Sequence, residues 1–284
     1  MADSILAMSL NLGCGGPHPA ATRDAAFAWG TSVRGADPGP DLVFVQEHPG
    51  AEWIRGWLTE GWAAFETAEP AYRCRSAVLV RAPLAASVRE YAVPTAAYHG
   101  TYVAACELAL NGHAVRLLSI HASPTDVGAN WDRMYAQSWG GSGAVPPRFR
   151  DDGSRWDSDC VLTTIGICAA TAPVIAAGDV NEARRWNADR AIEGDGVFFD
   201  RLAELNITDC IGGSLSEEVA SQHPGRGRGY QVDRLLTQHV PASCISDARV
   251  VGPELAHPLH GGSDHSPLEF RISLRPEHWA APTA

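Results

Sequence analysis

The sequence predicts a mixed α/β fold of the α+β kind, a layered α/β sandwich with mostly antiparallel sheets flanked by helices. Three observations carry this prediction. Short runs of β-forming residues recur along all 284 residues. Helical patterns separate some of these runs, whereas other runs follow one another directly. Finally, Asn111-Gly112 joins two runs in the way that a tight hairpin turn does.

Each predicted strand is a short run of aliphatic, aromatic and β-branched residues bounded by turn formers. The run at 173–177, for example, is followed by Gly178 and Asp179. The predicted strands are 4–10, 41–46, 76–81, 101–109, 114–120, 173–177, 231–236, 248–251 and 267–274.

Four helices are predicted between the strands. Residues 21–33 are rich in alanine, and in 51–60 the apolar residues Trp53, Ile54, Trp57 and Leu58 fall on one helical face. Residues 157–170 and 196–205 give the other two helices.

Length and composition indicate one globular domain over residues 1–284. Apolar residues make up 45% of the chain, and no stretch rich in Pro, Gly or Ser divides it. No apolar run is long enough to cross a membrane, and the first residues carry an acid where a signal peptide carries its positive charge. We therefore expect a cytoplasmic protein without stable membrane association. The sequence leaves the oligomeric state open.

The cysteines and the net charge narrow the chemistry. Seven cysteines are scattered without a CxxC pair, which favours buried free thiols over disulfides or a zinc site. The net charge of -11 argues against tight binding of a polyanion through bulk charge. Acidic side chains gathered in one place would suit a divalent metal ion instead.

Six of the β-type runs end at, or begin next to, a polar or ionisable residue. A single such residue is explained by a turn, but six of them are difficult to explain as turns. If the run ends lie at one edge of a sandwich, the side chains converge on one pocket, and converging carboxylates require a cation. Oxygen ligands without cysteine point to Mg²⁺ or Mn²⁺. The residues concerned are Asn11, Glu47, His121, Asp179 with Asn181, Asp233, and Asp264 with His265.

These residues carry a family resemblance. Asn11, "QE" at 46–47, "HASP" at 121–124, "GDVN" at 178–181, "VDRLL" at 232–236 and "SDH" at 263–265 occur in an order and spacing similar to those of the endonuclease/exonuclease/phosphatase superfamily. The "HASP" motif resembles its DNase I-like branch. The resemblance covers nearly the whole chain, and it implies a four-layer α/β sandwich and metal-dependent hydrolysis of phosphate esters by in-line attack of water.

The resemblance also implies a metal site. Glu47 would be the main ligand of Mg²⁺ (or Mn²⁺). Asn11 would lie beside it and hold the metal or a phosphate oxygen. Asp264 would help with the metal, directly or through water.

Five further residues receive catalytic roles from the resemblance. Asp179 would orient or deprotonate the attacking water, and Asn181 would donate to a phosphoryl oxygen. Asp233 and His265 would form a dyad in which His265 acts as a base or as a charged stabiliser. His121 would donate to a phosphoryl oxygen or protonate the leaving group.

Ordinary structural explanations compete at each position. His121 is also explained as a packed histidine. Asp233 is also explained as a salt-bridge partner of Arg234, and Asp264 with Ser263 as a turn before the last strand.

Three functions remain open. A nuclease acting on DNA or RNA is favoured by "HASP" and by Arg226 and Arg228, which would grip phosphates from a glycine-rich loop. A phosphatase or phosphodiesterase for a small molecule or lipid headgroup is favoured by the acidic charge. A binding module without catalysis is disfavoured because every implied catalytic position holds a suitable residue.

One segment stands apart from the periodic pattern. Residues 123–156 lack a clear period and look like an insertion near the active site. Their aromatic residues Trp131 and Tyr135 would cover a compact substrate, stack on nucleobases or pack against the core.

Overall fold

The computed structural model of the protein describes most of the chain. The described residues are 4–14, 20–67, 75–93, 103–110, 113–122, 156–184, 197–211, 218–222, 229–251 and 263–275.

Two six-stranded mixed sheets form the centre of the structure, with strands numbered in chain order. The first sheet contains, in spatial order, β11 (Ile245–Val250), β12 (Leu268–Ser273), β1 (Ser4–Asn11), β2 (Leu42–Gln46), β4 (Ala77–Val80) and β3 (Ala63–Glu66). The second contains β5 (Val88–Glu90), β6 (Val103–Leu110), β7 (His113–His121), β8 (Val174–Asp179), β10 (Asp233–Gln238) and β9 (Ile207–Asp209).

Within the described ranges, each sheet has one parallel pair, and its other neighbours are antiparallel. The parallel pairs are β1 with β2 and β7 with β8. The predicted hairpin is present, because β6 and β7 pair antiparallel with Leu110 opposite His113. The mostly antiparallel sandwich predicted from the sequence is therefore confirmed.

Helices cover the outer faces of the two sheets. They are α1 (Ala20–Arg34), α2 (Ala51–Thr59), α3 (Asp157–Ala169) and α4 (Val197–Glu204). Short 3₁₀ turns occupy Leu84–Ser87 and Ala242–Cys244. None of the helices in the described part of the chain is long and apolar enough to cross a membrane.

Three apolar clusters separate four layers. Between the sheets, Phe44 and Phe270 stack with ring centroids 6.0 Å apart. Trp29, Trp53 and Trp57 fill the space between the first sheet and the helices α1 and α2. A third cluster joins the second sheet to α3 and α4. Because β2, β4 and β8 are buried along their whole length, their sequences are mostly apolar. Strand β10 is equally buried but carries the polar residues Asp233, Arg234, Thr237 and Gln238.

The four predicted helices and nine predicted strands are all found. The largest shift concerns β11, which begins at Ile245 and not at residue 248. The sequence did not predict the strands β3, β5 and β9. All three are short strands at the edge of a sheet. Strands of three or four residues at an edge bury too little surface to impose an apolar alternation on the sequence.

The predicted free thiols are also found in the described residues. Cys106, Cys160, Cys168 and Cys244 are buried thiols that form no disulfide among the described residues, whereas Cys14 and Cys210 are partly exposed.

Candidate active site

Strand direction explains why the candidate residues meet at one edge. Asn11 and Gln46 pair at the ends of the parallel strands β1 and β2. His121 and Asp179 likewise pair at the ends of β7 and β8. Asp233 begins β10, which runs antiparallel to β8, so it lies opposite Asp179. The ends of parallel strands and the start of an antiparallel strand thus coincide at the same edge.

The amide of Asn11 lies at the centre of this edge and bridges the two sheets. Its Nδ2 donates to Glu47 Oε1 at 3.1 Å and to Asp179 Oδ2 at 3.1 Å. Its Oδ1 accepts from the backbone N–H of Gly13 at 2.9 Å. Asn11 is only 1% exposed, so water screens the two carboxylates poorly, and the Asn11 amide lies between them as a shared donor.

His121 completes the arrangement around Glu47. Its Nε2 lies 3.2 Å from Glu47 Oε1 and 3.9 Å from Asp179 Oδ2. The side chain of His121 is only 5% exposed, and that of Glu47 is 18% exposed. His121 is therefore a packed histidine, as the ordinary structural explanation held, yet it points at the acidic centre.

Asp233 and His265 form the predicted pair. Asp233 Oδ2 lies 2.8 Å from His265 Nδ1, which leaves Nε2 directed towards Asp179 Oδ2 at 3.9 Å. Burial lowers the pKa of His265, but the carboxylates of Asp233, Asp179 and Asp264 outweigh that effect and raise the pKa to about 10.

Asp179 is held by the turn that follows β8. Burial raises the pKa of Asp179 to about 6, although His265 and His121 act in the opposite direction. The backbone N–H of Asn181 donates to Asp179 Oδ1 at 2.8 Å, and Asn181 Nδ2 donates to Asp179 Oδ2 at 3.0 Å and to the Ala122 carbonyl at 2.6 Å. Asn181 has φ 52°, a left-handed conformation that asparagine tolerates better than most residues.

Asp264 lies at the rim of the site. Its side chain is 49% exposed, with Oδ1 3.7 Å from His265 Nε2, and Oδ2 accepts from Gln222 Nε2 at 3.3 Å. The adjacent Ser263 donates to the Asn11 carbonyl at 2.8 Å and so ties this segment to β1.

The side chains present are compatible with Mg²⁺. No three His, Cys, Asp or Glu residues within the described ranges are arranged as a closed metal site. Mg²⁺ does not require one, because it is commonly held by one or two carboxylates and otherwise by water. The acidic centre of Glu47 and Asp179, with Glu47 partly open to solvent, offers that donor set. Asn11 presents its N–H groups to both carboxylates, so it would bind a cation only after its amide turned over.

Arg234 is not the ion-pair partner of Asp233, so that explanation is wrong. Successive side chains of a strand point to opposite faces, and Asp233 faces His265. Arg234, which is completely buried, pairs with Asp209 at 2.9 Å and with Glu218.

Residues 218–222 form a supporting segment that no sequence pattern predicted. Ser221 Oγ accepts from the backbone N–H of Asp233 at 3.0 Å, and the Ser221 carbonyl accepts from the N–H of Ser266 at 2.6 Å. Glu218 accepts from the N–H of Arg184 at 2.8 Å. These residues hold together the chain segments that carry the Asp233–His265 pair, but they show neither a period nor a motif.

The candidate substrate-binding residues Arg226, Arg228, Trp131 and Tyr135 lie outside the described residues. The same is true of the proposed insertion, apart from Trp156 at its end.

Comparison with known proteins places the fold among phosphoesterases. A model of the Endonuclease/Exonuclease/phosphatase family matches residues 8–265. A comparison of the sequence with curated proteins finds no match.

Solved structures resemble the chain over almost its full length. The AP endonuclease LMAP from Leishmania major has 14% identity and a TM-score of 0.62, with 95% of this chain and 88% of that chain covered. The 3'-5' exonuclease NExo from Neisseria meningitidis has 15% identity and a TM-score of 0.61, with 95% and 100% covered. A humanized TDP2 of D. rerio has 15% identity and a TM-score of 0.59, with 96% and 100% covered.

Proposed function

The chain belongs to the Endonuclease/Exonuclease/phosphatase family, and on that premise we propose that it is a Mg²⁺-dependent nuclease that hydrolyses phosphodiester bonds of DNA or RNA. Members of the family are hydrolases of phosphate esters, and this chain is such an enzyme. The metal, the substrate and the residue roles are our proposal.

One observation carries the proposal. Glu47, Asn11, His121, Asp179 and His265 come from distant parts of the chain, and each lies within hydrogen-bond or ion-pair distance of at least one of the others. Mutual repulsion and the loss of hydration make such a buried acidic centre costly to maintain. Such a costly acidic centre is expected where the protein binds a cation and a phosphate ester.

Glu47 would hold Mg²⁺, with Asp179 near it and Asp264 acting through water at the rim. Bound there, the cation would neutralise charge on the phosphate. Asn11 would either turn its amide oxygen to the metal or redirect one N–H from a carboxylate to a phosphate oxygen.

The protein side chains would position and protonate the reactants. Asp179 would accept a hydrogen bond or a proton from the attacking water, while Asn181 holds that carboxylate in place. The amide of Asn181 donates to Asp179 and to the Ala122 carbonyl, so it would donate to a phosphoryl oxygen only after releasing one of these bonds. Asp233 fixes the ring of His265, so that Nε2 serves either as donor to the phosphoryl group or as base. His121 would donate from Nε2 to the phosphoryl or leaving oxygen.

Similar structures support a nucleic acid as the substrate. They include an AP endonuclease and NExo of Neisseria, which is described as a 3'-5' exonuclease and, in a second structure bound to a product DNA hairpin, as a 3' phosphatase. The net charge of -11 favours the alternative, a compact phosphate ester that does not need a broad basic surface.

A substrate panel tests the proposal. Purified protein is incubated with plasmid DNA, single-stranded RNA and bis-p-nitrophenyl phosphate in Mg²⁺ or in EDTA. We expect cleavage of nucleic acid only in Mg²⁺. Full activity in EDTA would contradict the metal role, and hydrolysis of the small ester alone would favour the alternative.

Matched variants assign the residues. Asp179→Asn and His265→Asn should each lower turnover about 10²-fold or more, as expected for groups that orient or transfer a proton. Asp247→Asn alters a carboxylate on β11 that is 67% exposed, and it should leave turnover unchanged. Near-normal rates for either site variant would remove that residue from the mechanism.

A further inference from the structure

We propose that Gln46 and Ser119 are a pair of positioning residues that fixes one sheet against the other directly below the catalytic edge. This inference rests on the proposed function, because it concerns how that same site is held in register. Gln46 precedes the metal-binding candidate Glu47 but has no role of its own in the proposed chemistry.

A chain of directed hydrogen bonds crosses between the sheets at this point. Gln46 Nε2, at the end of β2, donates to Ser119 Oγ on β7 at 2.8 Å. Ser119 Oγ in turn donates to the Val45 carbonyl on β2 at 2.9 Å. The same Nε2 lies 3.3 Å from the Ala177 carbonyl on β8. One amide thus contacts both strands of the parallel pair β7–β8.

The hydrogen bonds of the pair lie one side-chain step further from the sheet edge than the candidate site residues. Ser119 is two residues before His121 and Ala177 is two residues before Asp179, so each shares a sheet face with the catalytic candidate above it. Gln46 is adjacent to Glu47. A shift of Gln46 relative to Ser119 therefore moves Glu47 relative to His121 and Asp179.

Apolar packing alone does not fix this register. The space between the sheets is filled by aliphatic and aromatic side chains, and hydrophobic attraction has no preferred direction. Hydrogen bonds depend steeply on distance and angle, so the Gln46–Ser119 contact resists sliding in a way that methyl contacts do not. The proposed site needs this, because Glu47 comes from the first sheet and both His121 and Asp179 come from the second.

The amide is costly where it lies, which argues for a role beyond filling space. Gln46 and Ser119 are both 0% exposed, and Gln46 Oε1 makes no hydrogen bond with any of the described residues. An apolar side chain of the same length would avoid the loss of hydration at this oxygen. A polar residue at this position therefore favours precision of position over stability.

The test separates position from stability. The double variant Gln46→Met, Ser119→Ala removes both polar partners at nearly constant volume. We expect its kcat to fall roughly 10- to 100-fold, because an error of about 1 Å between reacting groups costs that much. We expect KM to stay within about 2-fold and Tm to stay the same or to rise.

Ile175→Val provides the matched control. Ile175 lies in the same layer between the sheets and is completely buried, but it makes none of these hydrogen bonds. Its truncation should lower Tm by roughly 2–4 °C and leave kcat unchanged. If both the double variant and Ile175→Val lost Tm and kcat together, the Gln46–Ser119 pair would have only a structural role.

Hydrogen exchange gives a readout that needs no activity. The N–H of Leu12 donates to the Gln46 carbonyl at 2.9 Å, and the N–H of Ala122 donates to the Asp179 carbonyl at 2.8 Å. Both amides should exchange at least about 10-fold faster in the double variant, with no change in the helix α3. An inactive wild-type protein would reject the proposed function, and exchange would still decide the positioning role.

The two single variants, Gln46→Met and Ser119→Ala, keep the inference testable if the double variant does not fold. Each breaks the 2.8 Å contact from one side, so each should lower kcat. Unchanged kcat and unchanged exchange in either single variant would overturn the inference.

Discussion

Gly178→Ala should destabilise the protein far more than an alanine at a glycine with open space around it. Gly178 has φ 149°, a conformation that residues with a side chain rarely adopt. It lies in β8 opposite Ile120 of β7, immediately before Asp179. A Cβ at this position would lie 1.9 Å from the Ile120 carbonyl oxygen and 2.8 Å from Gln46 Nε2.

The structure allows the cost to be divided into two parts. Forcing a residue with a side chain into a sparsely populated conformation costs about 1–3 kcal/mol. Relieving overlap with a neighbouring atom in a packed core costs about 1–3 kcal/mol more, because β7 must move away from β8. The sum is about 2–6 kcal/mol of unfolding free energy, which corresponds to a fall in Tm of roughly 5–20 °C.

Two other glycines separate these contributions. Gly61 has φ 84°, but no atom of the described residues lies within 4 Å of an added Cβ, so Gly61→Ala measures the backbone contribution alone. Gly166 lies inside α3 with open space around it, so Gly166→Ala should stabilise the protein by about 0.5–1 kcal/mol. The overlap at Gly178 is the difference between Gly178→Ala and Gly61→Ala.

Urea denaturation followed by circular dichroism measures all three free energies. Turnover on the preferred substrate should also fall in Gly178→Ala, since His121 and Asp179 pair one residue beyond Ile120 and Gly178. If Gly178→Ala were within about 1 kcal/mol of Gly61→Ala, the close approach of β7 and β8 would be wrong.

Four further outcomes are expected. Mg²⁺ at one hundred times its Kd should stabilise the wild-type protein by about 2.7 kcal/mol and so raise its Tm in a thermal melt. Glu47→Gln should abolish this rise in Tm. Asp233→Asn should lower kcat by about 10²-fold or more with little change in KM, because His265 loses the carboxylate that orients it; equal rates in a steady-state assay would refute this. Arg234→Met should cost about 3–5 kcal/mol in urea denaturation, because it removes the guanidinium that pairs with the buried carboxylates of Asp209 and Glu218. Adding Asp209→Asn and Glu218→Gln should recover most of this loss. Burial raises the pKa of Cys168 to about 12, so between about pH 9 and pH 12 the folded protein keeps a proton that the unfolded chain releases. The free energy of unfolding should therefore decrease as the pH rises from 9 towards 12. Cys168→Ala should make this decrease smaller.

The sequence was sufficient for most of the secondary structure because burial acts locally. A strand buried on both faces favours apolar residues at most positions, so β2, β4 and β8 were visible as runs. The same pattern indicated the candidate site residues, because a carboxylate or imidazole at the end of an apolar run is easily recognised. Edge strands such as β3 and β9 were not visible, because one neighbour and one solvated side leave little trace in the residues.

The order of the motifs along the chain resembles that of a known family. This resemblance indicated that one site contains Asn11, Glu47, His121, Asp179 and His265. It did not say how they meet. Asn11 and Asp179 are 168 positions apart and share a hydrogen bond, and the carbonyl of Asn11 is bound by a serine 252 positions away.

Tertiary structure decided the partners that no motif indicated. Arg234 pairs with Asp209 and Glu218, Gln46 reaches across to Ser119, and Ser221 supports the strand of Asp233 from an irregular segment. The physical reason is that the side-chain pattern within a strand is set by its own burial, whereas contacts between strands depend on which sheets pack together and in what register. Local sequence therefore determined which groups were available, and the assembly of the two sheets determined what each group touches.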